Sequence, residues 1–88
     1  MPTISFFYGI IIRMYFRDHA PSHFHAVYGE HEALVSVETG EVIFGHLPKT
    51  AARIVQDWTV ARRQELRDNW ARARKYEPLE RIPGPEDE

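Results

Sequence analysis

The chain contains no cysteine. That excludes a disulfide framework, a thiolate nucleophile and a thiolate-bound zinc, and leaves nitrogen and oxygen as the strong ligands for any metal. No apolar run approaches the ~18 residues of a membrane span. Ile10-Ile11-Ile12 is too short for a signal peptide's apolar region and follows no basic segment, so a soluble, cytoplasmic protein is expected. There is no internal repeat, and the 5 glycines are scattered rather than gathered into a phosphate-cradling loop. At 88 residues the chain is one domain with a modest core, to which a partner or a second copy is expected to add stability.

The formal net charge is only -2, but its distribution is uneven. The first 48 residues are acidic, with Arg13 and Arg17 outnumbered by Asp18, Glu30, Glu32, Glu38 and Glu41. The stretch 49–75 is basic, carrying Arg62, Arg63, Arg67, Arg72 and Arg74 among its cations, and the end of the chain is acidic again. A basic segment of this kind contacts nucleic acid or an acidic partner, or is a solvated helix face paired with its own acidic neighbours.

Hydrophobic periodicity divides the chain into two halves. Thr3 to Phe16 reads as one strand or two short ones around Gly9, with Ile12, Met14 and Phe16 on one face. Pro21 and Ser22 interrupt the pattern, and a new strand starts near His23 with Phe24, Ala26 and Tyr28 on one side and His23, His25 and Val27 on the other. Ala33 to Glu38 alternates again, and Thr39-Gly40 turns into Val42, Ile43 and Phe44. From Pro48 the period lengthens. Leu47, Ala51, Ile54, Val55, Trp58 and Ala61 form one apolar stripe, and Leu66, Trp70 and Ala73 form a second, roughly 100° around the helix. The expected fold is α+β: an antiparallel meander of about four strands, then a long helix bent near Val60 to Gln64, or two helices, packed on one face. Residues 1–76 form the compact domain and 77–88 a flexible, acidic, proline-rich tail. Trp70 is expected to meet a two-fold partner or the far edge of its own sheet.

Four of the 5 histidines fall between His19 and His31. Imidazole titrates near neutrality, so clustered histidines bind metal, move protons or change charge. His23 and His25, two apart on a strand, share a face, and Asp18 and His19 arrive from the turn at Pro21. His19, His23 and His25 are therefore candidate ligands for a divalent metal, and with Asp18 they are the candidate catalytic set. A metal-free alternative makes one histidine a base and another an acid, with Arg13 or Arg17 stabilising a phosphorane as in a small ribonuclease. The bland alternative is a pair of half-buried strand histidines bonded to backbone. The pair's face is expected to open onto solvent, a ligand or a partner.

Met1-Pro2-Thr3-Ile4, Gly9-Ile10, Asp18-His19-Ala20-Pro21, His23-Phe24-His25-Ala26 with Tyr28, Gly45 with Leu47-Pro48, Trp58, Glu65-Leu66 and Asn69-Trp70 together resemble a family of small bacterial proteins, DUF4160. The resemblance runs to about Ile82. It implies a compact single domain, often encoded beside another small protein (DUF 2442), an arrangement that suggests a toxin-antitoxin-like or regulatory module; no activity comes with it. The family pattern reads Pro-Pro-His-Phe-His where this chain has Pro21-Ser22.

Three functions are thus expected in turn. The first is an interaction module engaging a cognate small protein or a second copy. The second is a histidine-dependent phosphodiester hydrolase, with or without metal. The third is a nucleic-acid-binding module using Arg62, Arg63, Arg67 and Arg74. Arg13, Arg17 and Trp70 complete the candidate contact residues.

Overall fold

The computed structural model describes residues 2–16 and 18–85. Five strands form one sheet in the order of the chain: β1 (Thr3–Phe7), β2 (Ile10–Arg13), β3 (His23–Tyr28), β4 (His31–Ser36) and β5 (Val42–Gly45). Each is antiparallel to its neighbour. The count is five rather than about four because Thr3 to Phe16 is two strands. Tyr8 and Gly9 both adopt positive φ, 49° and 78°, the two-residue turn whose twist suits a tight hairpin, and Phe7 pairs with Ile10 across it. The β4–β5 pairing shifts register between Leu34 and Val35, and at Gly45, which pairs with Ala33 at φ 85°, a Cβ would run into the Glu32 carbonyl oxygen.

Two helices follow, α1 (Lys49–Ala61) and α2 (Arg63–Arg74), in place of a single bent one. The break falls at Arg62, inside the stretch where the two stripes demanded a change of direction. Arg62 leaves the helical region (φ -113°, ψ 24°), yet its N–H still donates to the Trp58 carbonyl and Leu66 N–H donates to its own carbonyl. The small reorientation lets both stripes reach one core. Val55 and Trp58 of α1 and Leu66 and Ala73 of α2 are buried with Ile4, Phe7, Ile12, Phe24 and Val35 of the sheet. Trp58 sits tilted against Phe7 and edge-on to Phe24, with ring centroids 4.9 and 5.8 Å apart.

The segment after Glu77 departs from the expected free tail. Residues 78–84 lie outside helix and strand, as its prolines dictate, but form a strap bonded to three elements. Ile82 is buried; its N–H donates to the Ile4 carbonyl and its carbonyl accepts from Ser5 Oγ at 2.7 Å. Trp58 Nε1 donates to the Pro83 carbonyl, and Asn69 both donates to the Glu80 carbonyl and accepts from the Glu80 N–H. Composition suggested disorder there; two apolar residues, Leu79 and Ile82, anchor the strap instead. Residues 86–88 of the expected tail lie outside the described residues.

Candidate metal centre

Strand alternation sets the site. In β3, Phe24 and Ala26 are buried on the core side, which sends His23, His25 and Val27 to the opposite face. Register places Arg13 of β2 and Leu34 of β4 on either side of His25, and Ser36 opposite His23. The loop between β2 and β3 brings Asp18 over this pair.

Asp18, His23 and His25 each offer a ligand atom, and the three atoms lie within 4.8 Å of one another. Asp18 Oδ2 is 3.1 Å from His23 Nε2 and 3.5 Å from His25 Nε2. For comparison, two ligands held about 2.0–2.1 Å from a tetrahedral ion stand about 3.3–3.4 Å apart. The other ring nitrogens fix the tautomers. His23 Nδ1 is 2.8 Å from the Pro21 carbonyl oxygen, which can only accept, so Nδ1 carries the hydrogen. His25 Nδ1 is 3.3 Å from Glu32 Oε2, with the same consequence for a carboxylate acceptor. In the neutral form of each ring, Nε2 turns a lone pair toward Asp18 Oδ2, so that acceptors face acceptors. Asp18 Oδ2 and His25 Nε2 are buried and have no hydrogen-bond partner.

A buried acceptor without a donor is costly, about 1–3 kcal/mol, and such groups are uncommon in native proteins unless an ion, water or ligand satisfies them. A carbonyl or carboxylate on the distal nitrogen of each imidazole is also how metal-bound histidines are oriented. The residues present thus fit a divalent cation in donor type, tautomer and spacing.

Neighbouring rings hold the histidines in place. Tyr15 meets His25 edge to face at 4.2 Å, and Trp70 of α2 lies against His23 at 5.3 Å. The expectation of an open histidine face is corrected for His23, which is 9% exposed and covered by Trp70, so that Trp70 meets its own sheet, the alternative to a two-fold partner; His25 lines a cleft on that face. The second apolar stripe of the helices is spent within the chain, because α2 curves back at Arg62.

His19 does not join the site. It is exposed and outside the converging set, where Asp18 supplies the third donor. Tyr15 and Glu32 were not singled out from sequence. Glu32 was nonetheless legible in the hairpin, since pairing Tyr28 with His31 puts Glu32 opposite Val27 and on the face of His25. The remaining imidazoles, His31 and His46, meet edge to face at 5.5 Å.

The basic helix is largely tied to its own chain. Arg67 forks onto both carboxylate oxygens of Glu38, Arg62 reaches Glu65 at 3.4 Å, and Arg72 bonds Asn69 and approaches Glu80. Beside Glu38, the hydrogen-bonded Arg67 guanidinium holds the carboxyl below its ordinary range and is itself held protonated more firmly. Arg63 adds to the positive field at Glu38, and Arg74 is exposed near the end of α2. Arg17 lies outside the described residues. Among the described residues, no helix is long and apolar enough to cross a membrane.

Neither a curated protein nor a solved structure matches the chain. A family model described as a domain of unknown function (DUF4160) matches residues 9–71, a stretch that holds Arg13, Tyr15, Asp18, His23, His25, Glu32 and Trp70. That match covers well over half of the sequence, and the chain belongs to the DUF4160 family.

Proposed function

We propose that the chain is a divalent-metal-binding domain whose ion is held by Asp18 Oδ2, His23 Nε2 and His25 Nε2. The observation that carries this reading is the convergence of three potential ligand atoms, two of them buried and without a hydrogen-bond partner. Pro21 and Glu32 fix the imidazole tautomers, and Tyr15 and Trp70 fix the ring planes. Two imidazoles and one carboxylate leave coordination positions open, the donor set of catalytic zinc and of non-haem iron sites. When bound, such an ion polarises a water or an oxygen-bearing ligand. Histidine-dependent hydrolysis of a phosphodiester is the enzymatic extension of this reading, and RNA cleavage lost in His25→Ala is its separate test.

Metal binding is tested on untagged protein by zinc titration with thermal unfolding. One equivalent should bind and raise the Tm; Asp18→Ala and His25→Ala should abolish both effects, and His19→Ala should preserve them. No stoichiometric uptake, or a His19→Ala loss as large as that of His25→Ala, contradicts the reading.

A second reading, an interaction module for a cognate small protein, is favoured by the β5 edge. All four β5 residues are exposed, Ile43 by 48% and Phe44 by 73%, whereas the strap covers β1. Open apolar edges invite strand addition. A strict monomer that ignores its co-expressed neighbour protein in size-exclusion chromatography contradicts it. Nucleic-acid binding finds less support, since Arg62, Arg67 and Arg72 already hold acidic partners.

A further inference from the structure

The face that carries the histidines also carries a row of side chains running across four strands. Arg13 of β2 pairs with His25 of β3, His25 with Leu34 of β4, and Leu34 with Phe44 of β5. Paired residues of antiparallel strands point to the same side, and strands are about 4.8 Å apart, so the row extends about 14 Å. Its two ends differ in kind.

At the β2 end, Arg13 is half-buried and its side chain makes no hydrogen bond or ion pair with another described residue, unlike those of Arg62, Arg67 and Arg72. A dication held by one carboxylate and two neutral imidazoles keeps positive charge; Arg13 adds its own and the Glu32 carboxylate beside His25 offsets one, which leaves the row positive with the ion in place. At the β5 end lies a cleft of about 310 Å³ walled by His25, Glu32, Ala33, Leu34, Phe44 and Gly45. Its walls are mainly apolar, and its size lies at the small end of those that take organic ligands. Phe44 stands 73% exposed beside it.

We infer that this row is a ligand site for a small organic carboxylate with an apolar body, its head between the ion and Arg13 and its body over Leu34 and Phe44. The inference rests on the metal-centre reading and goes beyond it by naming the ligand class. Charge complementarity sets the head: a forked guanidinium beside a cation suits an oxyanion. The apolar cleft sets the body, and favours a carboxylate with one side chain over a phosphodiester flanked by two polar sugars.

The test uses the Co²⁺-loaded full chain, whose visible absorption reports a change of ligands at the ion. Co²⁺ affinity is measured first, by itself, in wild type, Arg13→Gln and Phe44→Ala; Phe44→Ala should leave it unchanged, and Arg13→Gln, which removes a like charge, should not weaken it. Acetate, phenylacetate and dimethyl phosphate are then titrated. Phenylacetate should perturb the spectrum at a concentration about tenfold or more below that of acetate. Arg13→Gln should weaken both carboxylates by about tenfold, Arg13→Lys should restore part of that loss, and Phe44→Ala should reduce phenylacetate to the level of acetate. Equal binding of phenylacetate and acetate, or unchanged binding in Arg13→Gln, overturns the inference while Co²⁺ binding stands. Tighter binding of dimethyl phosphate than of phenylacetate overturns the carboxylate assignment. Absence of Co²⁺ uptake overturns the metal centre and this site with it.

Discussion

Asn69 and Asp18 both place a polar side chain away from bulk water, and the fold treats them in opposite ways. Asn69, fully buried in α2, donates to the Glu80 carbonyl and accepts from the Glu80 N–H and from Arg72, so its amide is satisfied by the strap and by its own helix. Ser5 and the Trp58 indole are likewise satisfied by the strap, and Thr59 by the Val55 carbonyl. Asp18 Oδ2 has two imidazole nitrogens within 3.5 Å and no hydrogen bond from either. Folding thus satisfies Asn69, Ser5, Thr59 and the Trp58 indole, and leaves Asp18 Oδ2 and His25 Nε2, two potential acceptors side by side, unmatched on the histidine face. The difference teaches where to look for function: the unmatched side costs stability that a cation would return.

The largest effect should come from removing the pairing device itself. Ending the chain after Glu77 exposes the pocket of Ile82 and strips partners from Asn69, Ser5 and the Trp58 indole. A loss of about 5 kcal/mol or more, enough to unfold a small domain, is expected in urea denaturation. A truncated chain as stable as the whole would make the strap ornamental. Asn69→Ala removes one hub of the same network and should cost about 2–3 kcal/mol by the same measurement, the price of leaving Glu80 unpaired at both its main-chain groups.

On the histidine side the sign should reverse. Asp18→Asn puts an amide donor where a carboxylate faces two lone pairs, so metal-free protein should keep its stability or gain up to about 1 kcal/mol. The same variant should lose the stabilisation of about 2.7 kcal/mol that a ligand at 100 times its Kd confers on wild type. Destabilisation of the metal-free protein by Asp18→Asn would show Asp18 to be a structural partner of an imidazolium, erasing the contrast with Asn69.

How far the sequence carried these features depends on distance along the chain. The β3 face was legible because period-two alternation is local: Phe24 and Ala26 inward fix His23 and His25 outward. The α1 stripe and the breakpoint near Arg62 were legible for the same reason. The strap was not, because Pro83-Gly84-Pro85 and acidic residues have the composition of a disordered end, and only the placement of Ile82 against β1 reveals the anchor. His19 was preferred to Asp18 as a ligand on residue type, whereas loop geometry decides which of two adjacent side chains turns inward. Trp70 was placed against either a two-fold partner or the far edge of its own sheet because period alone does not give the angle between the two helical segments, and the reorientation at Arg62 brings it against His23.

The smallest effect belongs to the surface pair. Glu38 is exposed and its carboxyl is held below the ordinary range by Arg67, so the pair's contribution is present above that range and fades as pH falls through the depressed value. Glu38→Gln should flatten this part of the pH–stability curve and change little at pH 7, as is usual for screened surface pairs. A larger change at pH 7 would mean that the Arg67–Glu38 fork anchors α2 to the turn after β4.

The most direct measurement is ¹⁵N–¹H NMR of the histidine side chains in metal-free protein, repeated after one equivalent of zinc. The account predicts Nδ1–H tautomers for His23 and His25, with both Nε2 resonances shifting on zinc addition while Nδ1–H is retained. An Nε2–H on either ring bonded to Asp18, unchanged by zinc, would contradict it.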